Sequence, residues 1–82
     1  MSAATIQERT VDIIADIFNE DPGAIADETD FVDDLHAKSI DIVALVAALE
    51  EEFGLSISVS DVQDNRTVGE AVAWLENEVE AT

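Results

Sequence analysis

The stretch His36-Ala37-Lys38-Ser39-Ile40-Asp41 sets the only histidine and the only lysine of an 82-residue chain beside a serine. A nucleophilic serine needs a base within reach and donors for an oxyanion. The sole histidine stands three residues before Ser39, no glycines of a nucleophile elbow surround it, and the chain has no cysteine. No convergent acid–base set exists elsewhere in the sequence, so an enzyme is not expected. His36 reads as a surface residue. Ser39 has a structural explanation as the N-cap of a helix, a role that contributes on the order of 1 kcal/mol. Ile42, three residues on, cannot reach back to complete a capping box. Asp41 in the first turn complements the helix dipole.

The chain sets three basic residues, Arg9, Lys38 and Arg66, against twenty Asp and Glu, for a formal charge of −17. Such self-repulsion costs stability but attracts basic partner surfaces. It excludes nucleic acid, whose phosphates need Lys and Arg. Acids abound in "DPGAIADETDFVDD", yet the spacing of a calcium loop is missing, and no metal site is expected. The longest apolar run, Ile42 to Leu49, is too short to span a bilayer. The start, "MSAATIQERT", has no secretory pattern. A cytoplasmic monomer made of one domain over residues 1–82 is the expectation, with 48% apolar residues to supply its core.

The elements that must position Ser39 are marked by caps. Thr5 and Glu8 form a T-x-x-E box opening a first helix, in which Ile6, Thr10, Ile13 and Ile17 share one side. It stops near Asn19, before the breaker Asp21-Pro22-Gly23. A long connection follows, and several of Ile25, Phe31, Val32 and Leu35 must tuck into the core to justify its length. A second helix runs from about Ser39 to Phe53 and ends at Gly54. "GLSISVSD" alternates like a strand, but with no partner strand an extended piece leading into a short helix fits better, and Ser58 and Asp61 supply its cap. Thr67 and Glu70 open the last helix, with Val68, Ala71, Val72, Leu75 and Val79 on its inner stripe. The predicted fold is all-α, a small four-helix bundle of three longer helices and one short one.

Apolar residues on the second helix form two rows. Ile42, Leu45, Val46, Leu49 and Phe53 make a stripe sufficient for the core. Ile40, Val43, Ala44 and Ala47 make a narrower row, with Glu50 and Glu51 near its end. Val43 either widens the core stripe or belongs to the outer row. Ile40 reads as an exposed docking residue, and an apolar row bordered by acids suits a groove with a basic rim.

"FVDDLHAKSIDIVALVAALEEEFGLSI" resembles the acyl carrier protein family, whose hallmark Asp-Leu-Gly-x-Asp-Ser-Leu precedes an amphipathic helix and a Glu-Glu-Phe-Gly-type ending. The likeness extends from the opening helix to "TVGEAVAWL". It implies that Ser39 carries 4′-phosphopantetheine, whose thiol holds acyl groups as thioesters. It also implies that Asp41, Glu50 and Glu51, with Ile40, Val43 and Ala47, meet basic docking surfaces of partners. Those would be a phosphopantetheinyl transferase and acyl-loading, synthase or acyltransferase enzymes of fatty-acid, polyketide or related biosynthesis. Where the family has glycine, aspartate, glutamate and proline, this chain has His36, Lys38, Ala44 and Ser58. Lys38 is then positioned to pair with the phosphate on Ser39, and these departures point to a specialised carrier. The alternative is an acidic interaction adaptor with the carrier fold, no prosthetic group, and Ser39 only a cap.

Overall fold

The computed structural model describes residues 5–81. Among them, four α-helices follow in order, α1 (Ile6–Phe18), α2 (Ser39–Phe53), α3 (Val59–Gln63) and α4 (Val68–Ala81), with one 3-10 turn at Pro22–Ala24. The all-α bundle of three longer helices and one short one is the observed fold.

Local chemistry accounts for most of the helix ends. The Glu8 N–H donates to Thr5 Oγ1 at 3.0 Å and the Glu8 carboxylate accepts the Thr5 N–H at 3.2 Å, a complete capping box. Ser58 and Asp61 do the same for α3, at 3.1 and 3.0 Å. The last helix differs from expectation. The Glu70 N–H donates to Thr67 Oγ1 at 3.2 Å, but the Glu70 carboxylate accepts the Arg66 N–H at 3.0 Å, one residue further back. Helix α1 ends at Asn19 and α2 at Gly54, both left-handed, with φ of 55° and 64°. "GLSISVSD" forms no strand, and buries Ile57 on the way to α3.

Helix α1 packs on α2 and α4, and α3 packs on α2. The apolar stripes meet in a core that includes Ile14, Leu45, Leu49, Val62, Val68 and Leu75. The long connection is tied to this core by Phe31, with Ile25 and Leu35 packed against it, and to α4 by its backbone. Phe31 is buried to 3% exposure, Ile25 and Leu35 are half-buried, and Val32 stays 63% exposed. The Phe31 N–H donates to the Arg66 carbonyl at 3.0 Å, Val68 N–H to Thr29 at 2.9 Å and Gly69 N–H to Asp27 at 2.8 Å. That last approach favours a glycine, because a Cβ at position 69 would stand 3.0 Å from the Asp27 carbonyl oxygen, a tight contact. The loop that leads into the Ser39 end of α2 is thus anchored to the start of α4.

Candidate attachment site and docking face

Ser39 is not the N-cap of α2. Lys38 holds that place, extended at φ −105° and ψ 167°, and Ser39 is the first helical residue. The Asp41 carboxylate reaches back to the Lys38 N–H at 3.0 Å, but lysine has no acceptor with which to answer it. No side chain therefore caps the first-turn N–H groups of α2, whereas Thr5, Ser58 and Thr67 cap the other three α-helices. Ser39 is exposed, and its hydroxyl makes no hydrogen bond among the described residues. A helix start with open donors and the positive end of its dipole favours an anion.

The bend that delivers the chain to α2 runs through His36, which is left-handed at φ 54°. The connection coils back on itself there, with His36 N–H donating to Val32 at 3.1 Å and Ala37 N–H to Phe31 at 2.8 Å. A glycine would suit this conformation better than histidine.

Beside Ser39 lies a cleft of about 320 Å³ between the 31–38 segment, α2 and α3. Phe31, Ile42 and Val62 form its apolar walls, and Lys38, Gln63, Asn65 and Arg66 its polar ones. Arg66 and Asn65 carry no motif that would have pointed to this place, although Arg66 is one of only three cations. The cations differ in how they are used. Arg9 is consumed by α2, its Nε 2.7 Å from the Glu52 carboxylate, a terminal amino group 2.9 Å from the Glu52 carbonyl, and its plane over the Phe53 ring. Arg66 contacts Asp30 at 3.2 Å through Nε alone. Lys38 has no carboxylate within ion-pair distance among the described residues.

The outer row of α2 is a real surface. Ile40 is 75% and Val43 55% exposed, and Ala44 and Ala47 are also exposed, while Ile42, Leu45, Val46 and Leu49 are buried. Val43 does not widen the core stripe. Glu51 stands free on this side. Glu50 is half-buried, and one of its carboxylate oxygens accepts the Ile57 N–H at 3.1 Å, so it also holds the chain leaving α2.

A family model described as a phosphopantetheine attachment site matches residues 8–75. Among curated relatives, the acyl carrier protein of Bdellovibrio bacteriovorus is 41% identical over 76 residues, covering 93% of this chain and 97% of the relative. That of Lactobacillus acidophilus is 39% identical over 77 residues, covering 94% and 96%. The acyl carrier protein of Thermosynechococcus vestitus is 37% identical over 81 residues, covering 99% of this chain and all of the relative. With the four-helix bundle and an open serine at the start of α2, these likenesses make the chain a member of the acyl carrier protein family, a carrier bearing covalent 4′-phosphopantetheine.

Proposed function

We propose that the arm is attached at Ser39 and that the outer row of α2 is the surface partners read. The observation that carries this is the exposed Ser39 hydroxyl, without a hydrogen bond among the described residues, on the one α-helix among them whose first turn no side chain caps. A phosphodiester fits there, because its oxygens meet free backbone N–H groups and the dipole. The arm supplies a thiol that holds acyl groups as thioesters. Everything else is the work of the chain. The first turn of α2 fixes the root of the arm, and the anchored 31–38 segment keeps that root from swinging with a loop. Lys38 pairs with the phosphate, a charge-assisted contact that offsets crowding by Asp33, Asp34 and Asp41.

Carriers of this kind are handles, and no reaction is assigned to the side chains themselves. Ile40, Val43 and Ala47 provide apolar contact, and Asp41, Glu50 and Glu51 provide charge. The fitting partners are a phosphopantetheinyl transferase and synthase or acyltransferase enzymes with basic docking surfaces, in fatty-acid, polyketide or related biosynthesis. The chain works as a cytoplasmic monomer, and no helix among the described residues is long and apolar enough to cross a membrane.

The absence of cysteine gives a clean test. Any thiol titrated on purified protein belongs to the arm, and intact mass should show a phosphopantetheine increment that Ser39→Ala loses. Protein from its native cell that is uniformly bare, or an increment that survives Ser39→Ala, overturns the assignment.

A further inference from the structure

We propose that the cleft beside Ser39 receives an acyl group ending in a carboxylate, and that Arg66 holds this carboxylate at the mouth. The proposal rests on attachment of the arm at Ser39, which places the cargo of the same molecule within reach of the cleft.

The walls and the mouth have different chemistry. Phe31, Ile42 and Val62 are 3, 9 and 4% exposed and offer an apolar bed for methylenes. The volume, about 320 Å³, is at the small end of ligand sites, which run from about 300 to 1,000 Å³. At the mouth, the Arg66 side chain is 77% exposed while its partner Asp30 is only 12% exposed. Asp30 is fixed in turn, its Oδ1 accepting the N–H groups of Val32 and Asp33 at 2.9 Å each. A rooted carboxylate therefore pairs with Arg66 on its Nε side, and neither terminal amino group has a partner among the described residues. Such a fork matches a carboxylate in two parallel hydrogen bonds.

The fold does not need this side chain. The backbone of Arg66 ties the connection to α4, through its carbonyl to Phe31 and its N–H to Glu70. Charge complementarity selects the occupant. At a net charge of −17 an anion is repelled from most of the surface. Lys38 and Arg66, the two cations not fully engaged, both line this cleft. A plain alkyl chain would use the walls and leave Arg66 idle. A chain of equal length ending in a carboxylate uses both.

The test loads native protein and Arg66→Gln with amide-linked, hydrolysis-resistant arms that are bare, octanoyl-bearing or seven-carboxyheptanoyl-bearing, each confirmed by intact mass. Amide signals of Ile42 and Val62 and the Arg66 Nε–H signal are then followed by NMR. In native protein the carboxylated cargo should move all three, and octanoyl should leave Nε–H where the bare arm puts it. In parallel, thioester-linked cargo is challenged with hydroxylamine. The carboxylated thioester should be cleaved about two- to fivefold more slowly in native protein than in Arg66→Gln, the size an exposed charge pair supports. The octanoyl thioester should show equal rates in the two proteins. Full movement of Arg66 Nε–H with the bare arm would mean that the phosphate is its anion and would overturn the proposal, as would equal effects of the two cargoes. Both outcomes leave attachment at Ser39 intact, whereas failure to load any arm there removes that reading and this one together.

Discussion

The Asp41 carboxylate accepts the Lys38 N–H at 3.0 Å, and this bond makes Lys38 the residue before the helix and Ser39 the first residue within it. The shift of one position decides what the serine hydroxyl can do. As an N-cap it would be spent on a backbone N–H of the first turn. At the first helical position it is free.

The two roles predict different stabilities. Ser39→Ala should change the urea midpoint of unmodified protein by no more than about 0.5 kcal/mol equivalent, as for surface substitutions. Ser58→Ala, which removes a working cap, should cost about 1 kcal/mol. Equal losses for the two variants would return Ser39 to a capping role.

How far the sequence discloses this fold follows from the range of the interactions. Thr5 with Glu8, Ser58 with Asp61, and Gly54 after Phe53 act within one turn, so they mark α1, α3 and the end of α2 without reference to anything distant. The two rows of α2 are largely legible, since 3.6-residue periodicity sorts Ile42 and Leu45 from Ile40, whereas Val43 lies between the rows and only its 55% exposure assigns it to the outer one. The start of α2 is not, because Lys and Ser compete for the cap and the sequence gives Ser the better intrinsic preference. The cleft is hidden for another reason. It exists because the Phe31 N–H bonds to the Arg66 carbonyl, and Arg66 comes to face Asp30 there, contacts across some 35 residues that no local pattern encodes.

The bend at His36 carries a cost that a glycine would remove. A non-glycine residue at φ 54° is strained by roughly 1–2 kcal/mol, partly offset by the extra freedom glycine has when unfolded. His36→Gly should therefore raise stability by about 0.5–1 kcal/mol in chemical denaturation, and Asn19→Gly by less, since asparagine tolerates this conformation. A loss of stability on His36→Gly would mean that the imidazole makes a contact worth more than the strain.

The inner and outer rows of α2 should separate cleanly under mutation. Leu45, at 1% exposure, should cost about 2–5 kcal/mol when cut to alanine. Ile40→Ala removes a side chain that is 75% exposed and should leave the denaturation midpoint within about 0.5 kcal/mol equivalent. Its effect should fall on kcat/KM of the transferase and of downstream enzymes, by about five- to thirtyfold for a contact worth about 1–2 kcal/mol at an interface. Unchanged kinetics across several partners would remove Ile40 from the docking face.

Thr10 is fully buried in α1 and its hydroxyl has no hydrogen-bond partner among the described residues. Replacing it with valine keeps the shape and removes the unsatisfied oxygen. Thr10→Val should stabilise the protein by about 1 kcal/mol. A loss measured in the same denaturation series would show that the hydroxyl does find a partner.

Lys38→Asp has two separable consequences. Aspartate is a good N-cap and lysine is none, so the substitution gives the first turn of α2 the acceptor it lacks and should stabilise unmodified protein by about 0.5–1 kcal/mol. It also takes the net charge from −17 to −19, since one positive side chain becomes one negative. The gain should therefore be clearest near 0.5 M salt, where the added repulsion is screened over about 4 Å. Once the arm is attached the sign should weaken or reverse, because a new carboxylate replaces the cation proposed to face the phosphate. Stability of arm-free and arm-bearing forms in both backgrounds makes a double-mutant cycle, and its coupling should favour lysine by up to about 1 kcal/mol. The same variant should change which transferases or synthases accept the protein. Zero coupling together with unchanged acceptance across a panel of partners would leave Lys38 as a simple relief of repulsion among Asp33, Asp34 and Asp41.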